Sequence, residues 1–277
     1  MTRHVQSSER SPSLEEVESW TVLRTEVGST VHGIGIGGQS DRDEMGVCIE
    51  PPEQVIGLRN FEQKVHRTQP DGVPSGPGDL DLVIYSLRKY CRLALGGNPT
   101  ILIPLFATAT NIVLITPAGL ALRKLAPAFY SKRAGYAFWH YLQAQSDKLQ
   151  GKRGGMNVTR KDLVEKYGFD VKFAGHAVRL GYQGIDYMRT GRIPVPMPED
   201  QRERIVAIRT GLVPLAEVIQ EIEHLQGTLT NEMKFDRVPE EPDTATVERF
   251  LVEQYLEAWG VPLAKAVSDI RKVVSGA

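Results

Sequence analysis

Long apolar runs are missing from this 277-residue chain. No window approaches the roughly 18 uninterrupted apolar residues that a membrane-spanning helix needs. The opening residues, MTRHVQSSERSPSLEE, lack the apolar centre of a signal peptide. A cytoplasmic protein with no membrane partner is the expectation. Cysteine is scarce: only Cys48 and Cys91, each inside an apolar stretch. Two buried thiols are expected, and the lack of a Cys-x-x-Cys pair excludes a thiolate zinc site. Charge of one sign is also missing, because 33 Lys plus Arg meet 34 Asp plus Glu. With 41% apolar residues and near-neutral charge, wholesale disorder is excluded. The length suffices for one full core or two adjoining ones. There is no internal repeat and no heptad run.

What charge there is lies unevenly. Residues 148–192 hold ten basic residues and four acidic ones. Residues 232–257 run the other way, with eight acids and three bases. A basic segment in a neutral protein suits a localised anion-binding face, although a solvated helix face has the same composition.

Residues 1–13 are polar and Ser-rich and read as a loose tail. Trp20 to Val27 alternates like a half-buried strand. A Gly-rich loop follows from Gly28 to Gly38. Met45 to Ile49 reads as a second strand, His66 to Gly78 as a long loop, and Leu80 to Tyr85 as a third strand. Thereafter the pattern is mostly helical. Ser86, Asn98-Pro99 and Thr116-Pro117 are helix starts, Ile112 to Ile115 is a short strand, and Gly191 is a helix stop. Helical spacing covers 131–149, 159–167, 170–190, 199–210, 214–226 and 246–258. A small α/β unit (14–126) followed by a helical unit (127–277) is expected.

The informative stretch is Gly28-Ser29, eleven residues, then Asp41-Arg42-Asp43. Gly-Ser after a strand lets backbone N–H groups and a hydroxyl approach a phosphate. Asp41 and Asp43 point to one side if the segment is extended. Two carboxylates on one side repel unless a cation lies between them, and Mg²⁺ suits such a site. A third acid recurs in Asp79-Leu80-Asp81-Leu82, where an adjacent strand can deliver it. Three acids can hold two metals, one activating the attacking oxygen and one stabilising the leaving oxygen. On a strand Asp79 and Asp81 share a face, so both remain candidates.

A second constellation lies on the 170–190 helix. Lys172, His176, Arg179 and Gln183 fall on one stripe about 60° wide. Cations so aligned suit an anion such as a triphosphate. Gly33, Gly35 and Gly38 match a dinucleotide-binding fingerprint by letter, but Ser-Asp-Arg-Asp follows at once and is a poor helix continuation. His4, His66, His140 and His224 are scattered. His32 lies near the Gly-Ser pair and reads equally as a phosphate contact or as solvated loop. Tyr136, Phe138, Trp139 and Tyr141 read as packing residues.

Together these blocks resemble the polymerase-β-type nucleotidyltransferase superfamily. They are closest to the RNA-ligase-associated predicted nucleotidyltransferases and their bacteriophage relatives. The resemblance rests on GSTVHGIGIGGQSDRDEMGV, DLDLVIYSLRKYCRLALGGNPT, YGFDVKFAGHAVRL and RTGRIPVP, and spans most of residues 20–225. Thr30-Val31-His32 and Ile103 depart from the family pattern, which leaves the metal motif intact. The resemblance implies an α+β fold: a small mixed β-sheet nucleotidyltransferase core with helices, then an all-helical C-terminal domain. It implies Asp41, Asp43 and Asp81 as catalytic metal ligands, with Asp79 the alternative third acid. Gly28, Ser29, Ser40, Lys172, His176 and Arg179 become the candidate nucleotide contacts. The implied reaction moves an NMP from an NTP to an acceptor hydroxyl, with Mg²⁺ or Mn²⁺ as cofactor and pyrophosphate released. An RNA 3′ end, in an RNA such as tRNA, is the first acceptor expected. A protein or small-molecule hydroxyl is the alternative, and a non-catalytic nucleotide- or RNA-binding regulator is the reading from another class.

Overall fold

A computed structural model describes residues 11–37, 41–70, 72–73, 75–152, 160–236 and 238–262. Five strands form one mixed sheet: β1 (Thr21–Glu26), β2 (Arg42–Cys48), β3 (Gln63–Arg67), β4 (Leu80–Ser86) and β5 (Ile112–Ile115). Their spatial order is β3-β4-β2-β1-β5, with β2 and β4 parallel and the other neighbours antiparallel. The helices of the first half are α1 (Leu14–Ser19), α2 (Gly28–His32), α3 (Pro52–Val55), α4 (Leu87–Leu95), α5 (Pro99–Phe106) and α6 (Pro117–Lys124). Those of the second half are α7 (Lys132–Leu149), α8 (Lys161–Tyr167), α9 (Val171–Thr190), α10 (Glu199–Arg209), α11 (Leu215–Glu232) and α12 (Thr244–Ala258). The fold is mixed α+β, and every described element after β5 is helical. None of the described helices is long and apolar enough to cross a membrane.

The capping residues act as their chemistry predicts. Ser86 Oγ accepts from Lys89 N (3.1 Å), Asn98 Oδ1 from Thr100 N (3.1 Å), and Thr116 Oγ1 from Gly119 N (3.3 Å). Gly191 ends α9 in the left-handed conformation, at φ 69°. Three local expectations are corrected, and one helix is added. The presumed loop from Gly28 opens with α2, and β2 begins at Arg42 rather than Met45. His66 and Arg67 belong to edge strand β3, whose sequence QKVHR is too polar to betray a strand. Helix α1 is signalled only by its capping box, in which Ser13 and Glu16 bond reciprocally. Residues 1–10 of the expected tail lie outside the described residues.

The larger apolar core joins Leu23, Met45 and Val47 of the sheet to Leu102, Phe129, Phe138 and Leu225 of the helices. It passes through the Ala126–Phe129 turn, so the expected front and rear units share it. On the other sheet face, Cys48, Leu82 and Ile84 pack with Val17 of α1 and Phe61. Both cysteines are free and buried, and burial pushes their thiol pKa values up. Helix α9 is the spine of the rear half. A Cβ on Gly181 would lie 2.8 Å from Leu225, and one on Gly184 2.9 Å from Phe138, so α7 and α11 close directly onto it. Phe138 therefore belongs to the core, while Tyr136 and Tyr141 remain exposed.

Helix α12 returns to the front sheet. Tyr255 Oη donates to the buried Glu50 carboxylate (2.9 Å) and accepts from Arg88 N (3.2 Å). Trp259 Nε1 donates to Glu50 O (3.0 Å). Burial raises the Glu50 pKa, partly offset by backbone N–H groups and then by the Tyr255 hydroxyl. Removing the hydroxyl strips a buried carboxylate of a donor, at about 1–3 kcal/mol. Tyr255→Phe is therefore expected to lower the thermal midpoint by several degrees, read by calorimetry. No loss would mean that water replaces the hydroxyl.

Candidate functional site

Strand register builds the centre of the site. In the parallel β2–β4 pair, Asp43 lies directly opposite Asp81. Asp41 stands two residues before Asp43, on the same side of the extended chain. Between them Arg42 turns to the opposite face and pairs with Glu44, which also takes Arg24. One carboxylate oxygen from each of Asp41, Asp43 and Asp81 lies within 4.8 Å of the others, and all three residues are half-buried.

Asp79 does not join this cluster. Its carboxylate accepts from Thr68 Oγ1 (3.1 Å) and Gly76 N (2.8 Å), and so closes the loop before β4. Asp81 is held by the same loop: Gln69 Nε2 donates to Oδ1 (2.9 Å) and Ser75 Oγ to Oδ2 (2.8 Å). Arg67 lies 3.4 Å away. Burial pushes the Asp81 carboxyl up, but these donors outweigh it and hold it below its ordinary pKa.

Asp43 moves the other way. Burial first, then the charges of Asp41 and Asp81, raise its pKa to about 6, while Lys172 opposes them. Three carboxylates at this spacing strain against one another, and a divalent cation relieves the strain. An all-carboxylate donor set suits a hard cation, Mg²⁺ or Mn²⁺, over zinc or copper. Asp43 must lose its proton to take part. Mn²⁺ affinity is therefore expected to rise about tenfold from pH 5 to pH 7, following titration of a group near 6. A flat profile in a calorimetric titration would show that Asp43 is not a ligand.

Helix α2 runs beside the acids. Gly28 has φ 70°, and a Cβ there would lie 2.0 Å from Asp43 Oδ2. Val27 N donates to Asp43 O (2.9 Å), fixing the same junction. Ser29 follows in the first turn of α2, whereas Ser40 lies outside the described residues.

The cationic stripe on α9 divides. Lys172 is exposed at the start of the helix, within electrostatic range of Asp43. His176 is open to solvent at the helix surface, yet nearby protein atoms desolvate its ring. Desolvation first, then Arg179, Lys148, Arg160 and Arg209, push its pKa down to about 3. Arg160 and Lys148 also stand over the ring of Phe173, at 5.2 and 5.6 Å. Arg179, by contrast, is buried: its Nη1 donates to His32 Nε2 (2.6 Å) and Gln183 Oε1 (3.1 Å). The Asp81 donors Gln69 and Ser75 and the partnership of Arg179 with His32 are absent from the motif. The only sequence signals were a long loop and an isolated histidine.

A family model described as RlaP, RNA repair pathway DNA polymerase beta family, matches residues 3–262. Among solved structures, a nucleotidyltransferase-like protein from Exiguobacterium sibiricum 255-15 matches at 12% identity and a TM-score of 0.30. The match covers 77% of this chain and 69% of that one, and is too distant to carry weight. No curated protein matches the chain.

Proposed function

The chain belongs to the RNA repair pathway DNA polymerase beta family, and from that premise we propose that it transfers an NMP from an NTP to an acceptor hydroxyl, releasing pyrophosphate. The observation that carries this reading is the convergence of Asp41, Asp43 and Asp81 beside Gly28. A pure binder gains nothing from three mutually repelling acids next to a phosphate loop.

Asp41, Asp43 and Asp81 would hold Mg²⁺ or Mn²⁺. When bound, the metal supplies Lewis-acid stabilisation of the oxygens around the reacting phosphorus. Gly28 and Ser29 receive the triphosphate, Lys172 neutralises it from the facing helix, and the uncharged His176 offers it a hydrogen bond. The acceptor oxygen attacks the α-phosphorus, the bond to the pyrophosphate oxygen breaks, and a carboxylate of the cluster takes the hydroxyl proton.

An RNA 3′ end is the acceptor favoured by charge. Lys152, Lys161, Lys166 and Lys172 are exposed around the end of α7, α8 and the start of α9. A polynucleotide on this face would displace several counterions, so its affinity is expected to fall steeply with salt. The decisive experiment supplies each α-labelled NTP with Mn²⁺ or Mg²⁺ and fractionated RNA, protein and small molecules. Label in RNA, lost in the Asp41→Ala/Asp43→Ala variant, supports the full proposal. Label in protein or small molecules moves the acceptor. No label with intact nucleotide binding favours a regulator.

A further inference from the structure

A five-residue helix does not hold itself together, because nucleation is unfavourable and few bonds repay it. Helix α2 is such a helix, and no side chain caps its N-terminus. Its order must come from outside. His32, at its end, is 3% exposed, and Gln183 and Arg179 against it are 1% and 9% exposed. Arg179 binds both, and Gln183 Nε2 lies 3.1 Å from His32 Nδ1. Met197 N donates to His32 O (3.3 Å), and the Arg209 guanidinium donates to Ile34 O. The rear helices thus grip the end of α2, while its start, Gly28, abuts Asp43.

Among the described residues no carboxylate pairs with Arg179. A buried cation without a counter-charge is costly, and apolar residues of similar volume would pack at least as stably. What the guanidinium adds is direction, since the two N–H bonds of Nη1, fixed in the guanidinium plane, address His32 and Gln183. We propose that Arg179, acting through His32, is a positioning residue that holds Gly28–Ile34 in the register where Gly28-Ser29 faces the carboxylate cluster. This rests on the nucleotidyl-transfer reading for its purpose, and it replaces the expectation that Arg179 touches the nucleotide.

The test uses the full chain and two readouts: hydrogen exchange of residues 28–34, and affinity for a non-hydrolysable NTP with Mg²⁺. His32→Leu strands the cation and is expected to speed exchange and weaken nucleotide binding, each by about tenfold or more. His32→Gln keeps an acceptor for Arg179 and should stay within about threefold of wild type on both. The double variant His32→Leu/Arg179→Met removes the stranded charge and should recover the melting temperature, since replacing both partners by apolar groups is nearly neutral. Exchange and affinity should nevertheless remain impaired in it. Recovery of all three would reduce the contact to simple packing and overturn the proposal, as would equal impairment in His32→Gln and His32→Leu. Wild-type protein that binds no nucleotide would count against the transferase reading, while exchange would still decide the lock.

Discussion

Asp43→Asn is expected to abolish metal-dependent transfer while making the metal-free protein more stable. Loss of groups that merely orient metal ligands costs about 10–100-fold, so loss of a ligand should exceed about 100-fold in rate. The stability gain follows from the raised pKa. A carboxyl at about 6 in the fold and 3.8 when unfolded holds more protons folded than unfolded in that interval. Folding stability therefore falls as pH rises from below 4 to above 6, and the penalty is fully present at pH 7. Half-exposure screens it to about 1–2 kcal/mol. Asparagine keeps the shape without the charge, so the thermal midpoint at pH 7 should rise by a few degrees. The gain should vanish near pH 4. An unchanged or lower midpoint at pH 7 would mean that neither burial nor repulsion penalises the Asp43 charge.

Gly28→Ala should be the other severe change. Its backbone sits at φ 70°, where a side chain costs about 1–3 kcal/mol. The new methyl would lie 2.0 Å from Asp43 Oδ2, so the carboxylate must move. Mn²⁺ affinity should drop at least about tenfold, and transfer more steeply, since displacement of about 1 Å costs about 100-fold. Gly37→Ala is the control. Its φ is 62° but nothing lies within 4 Å of the added carbon, so it should show backbone strain without loss of metal affinity. Equal loss in both would put the effect down to strain alone.

Much of this site was legible because it obeys short periods. Asp41 and Asp43 share a side through alternation, and the same alternation kept Asp79 and Asp81 together as candidates for the third acid. The choice between Asp79 and Asp81 needed the β2–β4 register, which places Asp81 opposite Asp43. No local pattern encodes that pairing. Helical spacing likewise put Arg179 on a stripe with Lys172. Its burial against His32 depends on where α2 docks, 147 residues away in sequence. The strands that were missed or shortened, β3 and the head of β2, are those whose charged residues hide alternation. Gln69 and Ser75 reach Asp81 across an irregular loop, where periodicity says nothing.

The return of α12 to the sheet bears on how the protein is made. Glu50 leaves the ribosome 205 residues before its partner Tyr255. His32 waits 147 residues for Arg179. Contacts so far apart in the chain form late and slow folding. The nascent front half thus emerges before either clasp can close. On the positioning role proposed for Arg179, a product cut short before that residue would lack the hold on α2, and would carry its carboxylates without a fixed Gly28-Ser29 turn beside them.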